Sequence, residues 1–355
     1  MESKRERTLR DYFEASQLDT SSLRPIMTSL NGDNSWLFSF PRPVAERSSI
    51  GKVYYHIVFE PWLNGPTGYL SSWFIHIQQL TVSAMADAQA VDAVAAQIED
   101  LARAALGTAF STGEDPEGEQ SQPIIDAILL GFHYPDHVHE ATLRLFDPNI
   151  PVFATPEAIA IIKPWKHFTT INSIANMNAS VSSWRTSELH PGGTLPSWLS
   201  ILRLPGHHEL NYVLALIWTR FGPDGSEIHE AILQSPHGMR LDGEPLHAFL
   251  DSEPKVVQLA MLHGLKESHA MGSMNTLGAE GGLKLYRRIG GAKYWVLSHH
   301  SMLSYSGVVM RLLGVADTPR TIEWALQKEE ELGEVKERDK PNVIEVENGG
   351  CFVLV

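Results

Sequence analysis

The sequence predicts an α/β fold, because short apolar strands and amphipathic helices alternate along most of the chain. Runs such as residues 53–59 and 256–262 are rich in β-branched, aromatic and other apolar residues, as buried strands are. Residues 87–106 carry valine, isoleucine and leucine at helical spacing among alanines, which is typical of an amphipathic helix. A third observation is that several of the predicted strands end in histidine.

Local composition sets the order of the elements. Residues 36–40 form an apolar run that stops at a Pro-Arg-Pro break, and the next strands follow after short turns, which predicts an antiparallel start to a sheet. Thr155 and Pro156 are suited to the N-cap and first turn of a helix. The acidic residues 111–122 show no periodicity and predict an exposed, mobile loop.

The remaining elements are predicted in the same way from apolar runs and their breaks. The predicted strands are residues 36–40, 53–59, 73–80, 127–130, 151–154, 169–174, 181–184, 198–204, 212–220, 228–233, 256–262, 292–297 and 351–355. The predicted helices are residues 8–16, 87–106, 140–146, 155–163, 246–250, 281–289, 307–313 and 321–332.

The length and composition fit one folded domain with short additions at both ends. The chain has 355 residues, of which 43% are hydrophobic and 20% charged, as in an ordinary globular protein. We expect an N-terminal extension over residues 1–30, a domain over residues 31–320, and a C-terminal helix and tail over residues 321–355.

Charge and cysteine content exclude several classes of function. The net charge of -14 argues against a nucleic-acid partner. No run of 18 apolar residues predicts a membrane span, and the charged N-terminus lacks the apolar segment of a secretory signal. Cys351 is the only cysteine, so a reducing compartment fits. We therefore expect a cytoplasmic protein that binds a small molecule, with its oligomeric state left open.

The loop after the predicted strand 127–130 has a high density of residues that can bind a metal ion or transfer a proton. His133, Asp136, His137 and His139 lie within seven residues, just before a helix-like segment. Imidazole nitrogens and a carboxylate suit zinc, iron or manganese. The alternative is a polar loop whose histidines are satisfied by ordinary hydrogen bonds.

Histidines recur at the ends of other predicted strands, which favours one shared polar site. In α/β folds the loops just beyond strand ends are where sites are usually built. The strand-end histidines are His133, His207, His208, His237, His263, His299 and His300.

Together these residues and their order resemble the metallo-β-lactamase superfamily, whose hallmark is a strand followed by HxHxDH. The phrases FEPWLNGP, PVFATPEA and AKYWVLSHHSML are similar to ones in its lactonase-like branch as it occurs in filamentous fungi. The resemblance covers about residues 35–313. It implies a four-layer αββα sandwich with a metal site at one edge between two sheets.

The resemblance transfers to the first loop only in part. Asp136 and His137 fall on the DH pair of the motif. Phe132 and Tyr134 stand where the two preceding histidines are expected, and His133 lies between them. Because a catalytic zinc needs about three protein ligands, the resemblance implies an altered site with one metal at most.

The later ligand positions of the family fall on histidines of this chain. The later histidine corresponds to His207 or His208, and the final histidine to His299, with His300 as its neighbour. His237 stands where the family has a bridging aspartate. The implied metal ligands are Asp136, His137, His207, His208, His237 and His299.

Three functions follow from the resemblance and from the residues. The first is a hydrolase of a lactone, thioester or related ester in fungal secondary metabolism, with zinc or another divalent metal. The second is a metal-free enzyme of the same fold that uses histidine and aspartate as acid and base for dehydration, isomerisation or cyclisation. The third is a non-catalytic binding protein. The expected catalytic residues are Asp136, His137, His237 and His299, and the expected substrate-binding residues are His133, Tyr134, His263 and His300.

Overall fold

Two seven-stranded sheets form the centre of the computed structural model, which describes residues 2–15, 23–69, 71, 73–107, 123–222, 224–333 and 340–355. The loop predicted over residues 111–122 lies outside this described part. Both sheets are mixed, with parallel and antiparallel neighbours.

The first sheet begins with an antiparallel meander and continues with parallel strands. The predicted antiparallel pairing of residues 36–40 with residues 53–59 is confirmed, but a helix, Val44–Ile50, connects the two strands instead of a short turn, and the strand predicted over residues 73–80 lies in another sheet. Its strands in chain order are β1 (Ile26–Ser29), β2 (Trp36–Pro41), β3 (Tyr54–Phe59), β6 (Ala127–Leu130), β7 (Val152–Ala154), β8 (Ile171–Ser173) and β20 (Cys351–Val353). The strand β20 forms one edge of this sheet, beside β1.

The second sheet pairs a long antiparallel ribbon with parallel strands. Its strands are β9 (Ala175–Asn176), β10 (Leu199–Pro205), β11 (Tyr212–Phe221), β12 (Glu227–Gln234), β13 (Val256–Leu262), β16 (Tyr294–Val296) and β19 (Val343–Ile344). Because β12, β13 and β16 are parallel, their carboxyl ends meet at one edge of the sheet.

Helices cover the outer face of each sheet. On the first sheet lie α1 (Lys4–Ala15), α3 (Ala88–Leu106) and α5 (Pro156–Ile162), whose apolar residues share a core with it. On the second sheet lie α6 (Glu244–Asp251), α7 (Gly278–Arg288) and α9 (Ile322–Glu331). A third core fills the space between the sheets. The fold is therefore the predicted four-layer αββα sandwich.

Successive side chains of a central strand alternate between two buried faces, so such a strand is a continuous apolar run in the sequence. In β6, Ala127 and Leu129 point between the sheets, whereas Ile128 and Leu130 face the helices. All four side chains are buried, because a central strand of a sandwich has no solvent face.

Smaller elements surround the site edge of the sandwich. One three-stranded sheet contains β4 (Thr67–Tyr69), β5 (Ile75–Gln79) and β17 (Leu303–Ser306), and another contains β14 (Glu267–Ala270), β15 (Ser273–Leu277) and β18 (Ala316–Thr318). The short helices are α2 (Val44–Ile50), α4 (Glu140–Leu143) and α8 (Val308–Leu313).

The structure differs from the predicted elements mainly at polar segments and at the chain ends. The strand predicted over residues 181–184 is wrong, since these residues form bends and turns with Trp184 buried. Strands β1, β19 and β20 come from the segments predicted as extension and tail, so both segments contribute to the sandwich. No helix in the described ranges has the length and apolar character to cross a membrane.

Strand β6 leads directly into the site loop, so its packing is suited to a stability test. We expect Leu129→Ala to lower the free energy of unfolding by about 2–5 kcal/mol, because this fully buried side chain would leave a cavity between the sheets. The matched control is Leu145→Ala, whose side chain is 52% exposed and whose effect should stay within about 0.5 kcal/mol. Urea unfolding of both variants measures the difference, and equal midpoints would contradict it.

Candidate metal centre

Strands of both sheets end at one edge of the sandwich, and the following loops converge there. The loop after β6 carries Asp136 and His137, the loop after β12 carries His237, and the loop after β16 carries His299. The residue after β3 is Glu60. Parallel neighbours place these strand ends side by side.

The three histidines form a compact, buried cluster. His137, His237 and His299 each offer one ring nitrogen, and the three nitrogens lie within 4.8 Å of one another. The ring centroids of His137 and His299 are 5.3 Å apart, and those of His237 and His299 are 4.8 Å apart. The Oδ2 atom of Asp136 lies 3.6 Å from Nε2 of His137 and 3.5 Å from Nε2 of His299.

The orientation of the rings leaves their inward nitrogens without partners. Nδ1 of His137 forms a hydrogen bond of 2.5 Å with Glu60, and Nδ1 of His237 forms one of 2.9 Å with Thr276. Nε2 of His137, His237 and His299 is buried and has no hydrogen-bond partner among the described residues. Buried polar atoms are rarely left unpaired. Three unpaired imidazole nitrogens beside a carboxylate fit zinc or a similar divalent metal as their common partner.

Glu60 orients the ring of His137 through its Nδ1 atom. Its carboxylate is fully buried and accepts hydrogen bonds from the backbone N–H of Gly131, at 3.0 Å, and from the side chain of Asn34. A carboxylate on the Nδ1–H of a ligand histidine fixes the tautomer and makes the Nε2 atom a better metal donor. A Cβ atom at Gly131 would lie 3.1 Å from the Glu60 carboxylate, so a glycine suits this close approach.

The same network reaches the second sheet through Asn34. The Oδ1 atom of Asn34 accepts hydrogen bonds from Ser298, at 3.1 Å, and from Gln234, at 3.4 Å. Ser298 directly precedes His299, and Gln234 ends β12 three residues before His237. Contacts beneath the cluster therefore connect three of the loops that form it.

Two residues of the site have left-handed backbone conformations. Glu60 has a φ of 43° and His299 has a φ of 53°, values that are uncommon outside glycine, although histidine adopts them more often than most residues do. Such backbone strain tends to be retained at functional sites, where it sets the direction of a side chain.

Charges within the cluster shift the pKa of its members in opposite directions. Burial disfavours the charged form of His137, but the carboxylates of Glu60 and Asp136 outweigh it and raise the pKa to about 9. Burial also opposes ionisation of Asp136, yet His137, His299 and His237 hold its pKa well below the usual range. Burial, together with His299 and His137, lowers the pKa of His237 well below its usual value. At neutral pH the metal-free site thus contains a carboxylate beside an imidazolium.

Aromatic side chains occupy the two loop positions where the family motif has histidines. Phe132 is buried and packs on Tyr134, with centroids 4.5 Å apart, and on Tyr212, with centroids 5.4 Å apart. Its ring also contacts His137 at 5.1 Å and His237 at 5.7 Å. These positions therefore supply an apolar wall rather than metal ligands.

The structure brings together the four residues expected to be catalytic: Asp136, His137, His237 and His299. Their roles stay predictions, and the geometry gives them one shared location. The sequence did not predict the residues that support the cluster, Glu60, Asn34 and Thr276. Glu60 directly follows a buried strand, as the histidines do, and a search for carboxylates at strand ends could have found it.

The expectation that His207 or His208 is a ligand requires correction. Both side chains are exposed in the turn between β10 and β11, and His207 lies 3.4 Å from Asp242 on the surface. This turn is closed by its own backbone hydrogen bonds, including one of 2.8 Å from Gly206 N–H to the Asn211 carbonyl. The turn directs the two imidazoles into solvent, away from the cluster.

The four expected substrate-binding residues fall into two groups. His263 is fully buried against Trp295, and Nδ1 of the half-buried His300 accepts a hydrogen bond from the Leu265 N–H, so neither belongs to the cluster. Burial lowers the pKa of His263 to about 4. Because no part of His263 is exposed, its assignment to substrate contact requires correction.

His133 and Tyr134 lie on the accessible side of the site loop. The Tyr134 hydroxyl donates a hydrogen bond of 2.9 Å to Glu209, and Nε2 of His133 lies 3.9 Å from the same carboxylate. These contacts join the site loop to the turn between β10 and β11. The two side chains are placed where an entering molecule could meet them.

No protein-family model matches the chain, and no curated protein matches it. Among solved structures it is similar to the isothiocyanate hydrolase from Delia radicum gut bacteria, with 12% identity over 92% of this chain and 98% of that chain and a TM-score of 0.51. A possible metal-dependent hydrolase from Veillonella parvula DSM 2008 gives 10% identity over 93% and 99%, with a TM-score of 0.48. The metallo-β-lactamase fold protein YhfI from Bacillus subtilis gives 11% identity over 93% and 99%, with a TM-score of 0.41.

The layers and the first of these similarities define the class of fold. Two mixed sheets packed face to face, with helices on both outer faces and a polar site at one edge, are the metallo-β-lactamase fold. At 12% identity the similarity shows the fold alone.

Metal binding can be tested with two histidines that were both expected to be metal ligands from the sequence. We expect the native protein to bind about one zinc ion per chain, and His237→Ala to lose most of it, since a zinc site needs about three protein ligands. His207→Ala is the matched control and should retain the native content, because His207 is on the surface. Elemental analysis and competition with a chromogenic chelator measure both, and equal losses would contradict the site.

Metal binding should also release a proton. A histidine ligand must be neutral, whereas the carboxylates beside His137 raise its pKa to about 9, so this ring is charged at pH 7.5. Metal affinity should therefore rise with pH until about pH 9. Calorimetry at pH 7.5 in two buffers of different ionisation enthalpy measures the proton. In Glu60→Gln the release should diminish, and an identical heat in both buffers for the native protein would refute the prediction.

Proposed function

We propose that this protein is a metal-dependent hydrolase that adds water to the carbonyl carbon of a lactone, thioester or related ester. The observation that carries the proposal is the convergence of three buried imidazoles with unpaired Nε2 atoms beside one carboxylate. The substrate class and a place in fungal secondary metabolism rest on the resemblance to the lactonase-like branch. The proposed partner is a small molecule.

His137, His237 and His299, with Asp136, are the residues that would hold the metal ion. When bound there, a divalent metal supplies Lewis acidity that polarises a carbonyl oxygen and lowers the pKa of a water molecule. The chain's own residues prepare this chemistry. Glu60 fixes the ring of His137 and Thr276 fixes that of His237, so both Nε2 atoms point inward.

Asp136 has the properties of a group that orients the attacking water. Its pKa is held low by the three histidines against the effect of burial, so the carboxylate stays an acceptor at neutral pH. Only 14% of its side chain is exposed, and the buried ring of Phe132 packs against the neighbouring His137, with centroids 5.1 Å apart. A charged acceptor in so dry a site acts strongly on a nearby proton.

Tyr134 and His133 are the residues we propose to contact the substrate. Burial and Glu209 raise the pKa of the Tyr134 phenol, so it stays protonated at neutral pH. Burial lowers the pKa of His133, so its ring is mostly neutral. Both can therefore form hydrogen bonds with a neutral ester without adding charge at the entrance.

One observation favours a second candidate, a metal-free acid–base enzyme of the same fold. In the absence of metal the charged His137 and the ionised Asp136 lie 3.6 Å apart, as an acid and a base would. Such a pair could serve dehydration, isomerisation or cyclisation of a metabolite. The two candidates differ in their response to a chelator.

Turnover of a small substrate panel tests the proposal. The panel contains a γ-lactone, a thioester, an aryl ester and an aryl isothiocyanate, the last because the similar bacterial structure is an isothiocyanate hydrolase. We expect hydrolysis of at least one carbonyl substrate, its loss on chelation and its return with zinc. Asp136→Asn should lower kcat about 10²–10⁴-fold, the range for a lost acid–base group.

The control for this assay is His207→Ala, which should keep native turnover because the side chain is exposed away from the cluster. Turnover that resists chelation but is lost in Asp136→Asn would instead support the metal-free enzyme. A tight ligand without any turnover would support a binding protein.

A further inference from the structure

A preformed cavity of about 470 Å³ lies beside the candidate metal centre, on the first-sheet side of the site loop. Three segments line it and leave it open to solvent: the hairpin of β4 and β5, the site loop with the start of α4, and the chain from the end of α5 to Trp165. We call it the side cavity. Its volume falls within the range of small-molecule binding sites in proteins.

The wall of the side cavity and the metal centre are parts of the same loop. Pro135 and Val138 line the cavity, and Asp136 and His137 lie between them in sequence. The N–H groups of His137 and Val138 both donate to the carbonyl of Tyr134 at 2.8 Å, so this turn is tight. Pro135 directly precedes Asp136 and Val138 directly follows His137, so residues of the cavity wall and of the cluster are neighbours in this turn.

The hairpin that covers the cavity is fixed to the site loop. The Thr67 hydroxyl donates a hydrogen bond of 2.7 Å to the Pro135 carbonyl. Within the hairpin, a Cβ atom at Gly68 would lie 1.9 Å from the Ile75 carbonyl oxygen, so the two strands approach as closely as a glycine allows. The hairpin therefore does not have to move for the cavity to form.

The lining favours an uncharged, apolar group. Ile75, Val138, Ile161 and Trp165 supply aliphatic and aromatic surface. Among the described lining residues there is no lysine or arginine. The one described lining carboxylate, Glu140, is paired at 2.7 Å with Arg144, whose guanidinium lies 5.8 Å from the centroid of the Trp165 ring. His139 uses its two ring nitrogens on Thr142 and the Pro66 carbonyl, so its ring contributes shape rather than a free polar group.

Polar side chains also line the cavity, and one of them lies near the site entrance. His133 and Tyr69 line the cavity. His133 also reaches toward Glu209, the partner of Tyr134. The side cavity therefore combines apolar surface with polar side chains, of which His133 lies next to the site entrance. A ligand with a polar reacting group and an apolar substituent matches this mixed lining.

We propose that the side cavity binds the apolar substituent of the substrate, an aryl group or a medium-length alkyl chain, while the carbonyl group lies at the metal centre. This proposal rests on the proposed hydrolase function and names the substrate class as neutral esters or thioesters with one bulky apolar substituent. Each methylene group that enters the cavity leaves water, which provides the affinity for longer chains.

A homologous ester series tests the side cavity in the zinc-loaded, full-length protein. Chains from methyl to octyl and a phenyl group are compared on one constant ester. For the native protein we expect kcat/KM to rise about threefold to fourfold per added CH₂ group until the cavity is full. Ile161→Trp fills the cavity and should lower the octyl-to-methyl ratio of kcat/KM about tenfold or more.

The matched control is Lys163→Trp, which adds the same side chain two residues away on an exposed position outside the lining. This variant should keep the native octyl-to-methyl ratio. Thermal unfolding of both variants establishes that they are folded. The proposal would be overturned if kcat/KM of the native protein did not change with chain length. It would also be overturned if both variants lowered the octyl-to-methyl ratio equally.

A binding experiment separates the failure of the cavity from the failure of the hydrolase function. N-alkyl acetamides of the same chain lengths are titrated while the indole N–H resonance of Trp165 is followed, with Trp165→Phe to assign it. We expect affinity to rise with chain length and this resonance to shift, whether or not any ester is hydrolysed. A Trp165 resonance that stays unchanged at saturation with the octyl ligand would refute the side cavity.

Discussion

The hydrogen bond between Glu60 and His137 is the constraint on which the candidate centre depends. Removing a carboxylate from water costs several kcal/mol, so a fully buried glutamate is stable only where donors surround it. Here Gly131, Asn34 and His137 converge on it. Asn34 in turn connects to the second sheet, so the contacts that stabilise this carboxylate also align the loops of both sheets.

The sequence predicted the sandwich well wherever strands are buried on both faces. Strands such as β6 and β7 are short apolar runs buried on both faces, and the structure confirms them. The sequence did not predict the strands β14 and β18 of the smaller sheets. Their residues, Glu-Ser-His-Ala and Ala-Asp-Thr, have neither an apolar run nor a clear alternation. Such strands form because neighbouring segments supply their partners, which local composition does not encode.

The candidate site was located from strand ends, and the same rule explains its errors. Loops after parallel strands converge, which brought His137, His237 and His299 together. The turn between the antiparallel strands β10 and β11 closes on itself, so His207 and His208 face solvent although they also follow a strand. Spacing in sequence gives the position of a turn but not the direction of its side chains.

The left-handed backbone of His299 has a consequence for how this chain can change over evolutionary time. The conformation at this residue is one that glycine or asparagine adopts more cheaply, and the imidazole has no described hydrogen bond that offsets the cost. Selection for thermodynamic stability alone would therefore favour replacing this histidine. A histidine at this position therefore indicates a demand on the imidazole itself, which the proposed role as a metal ligand supplies.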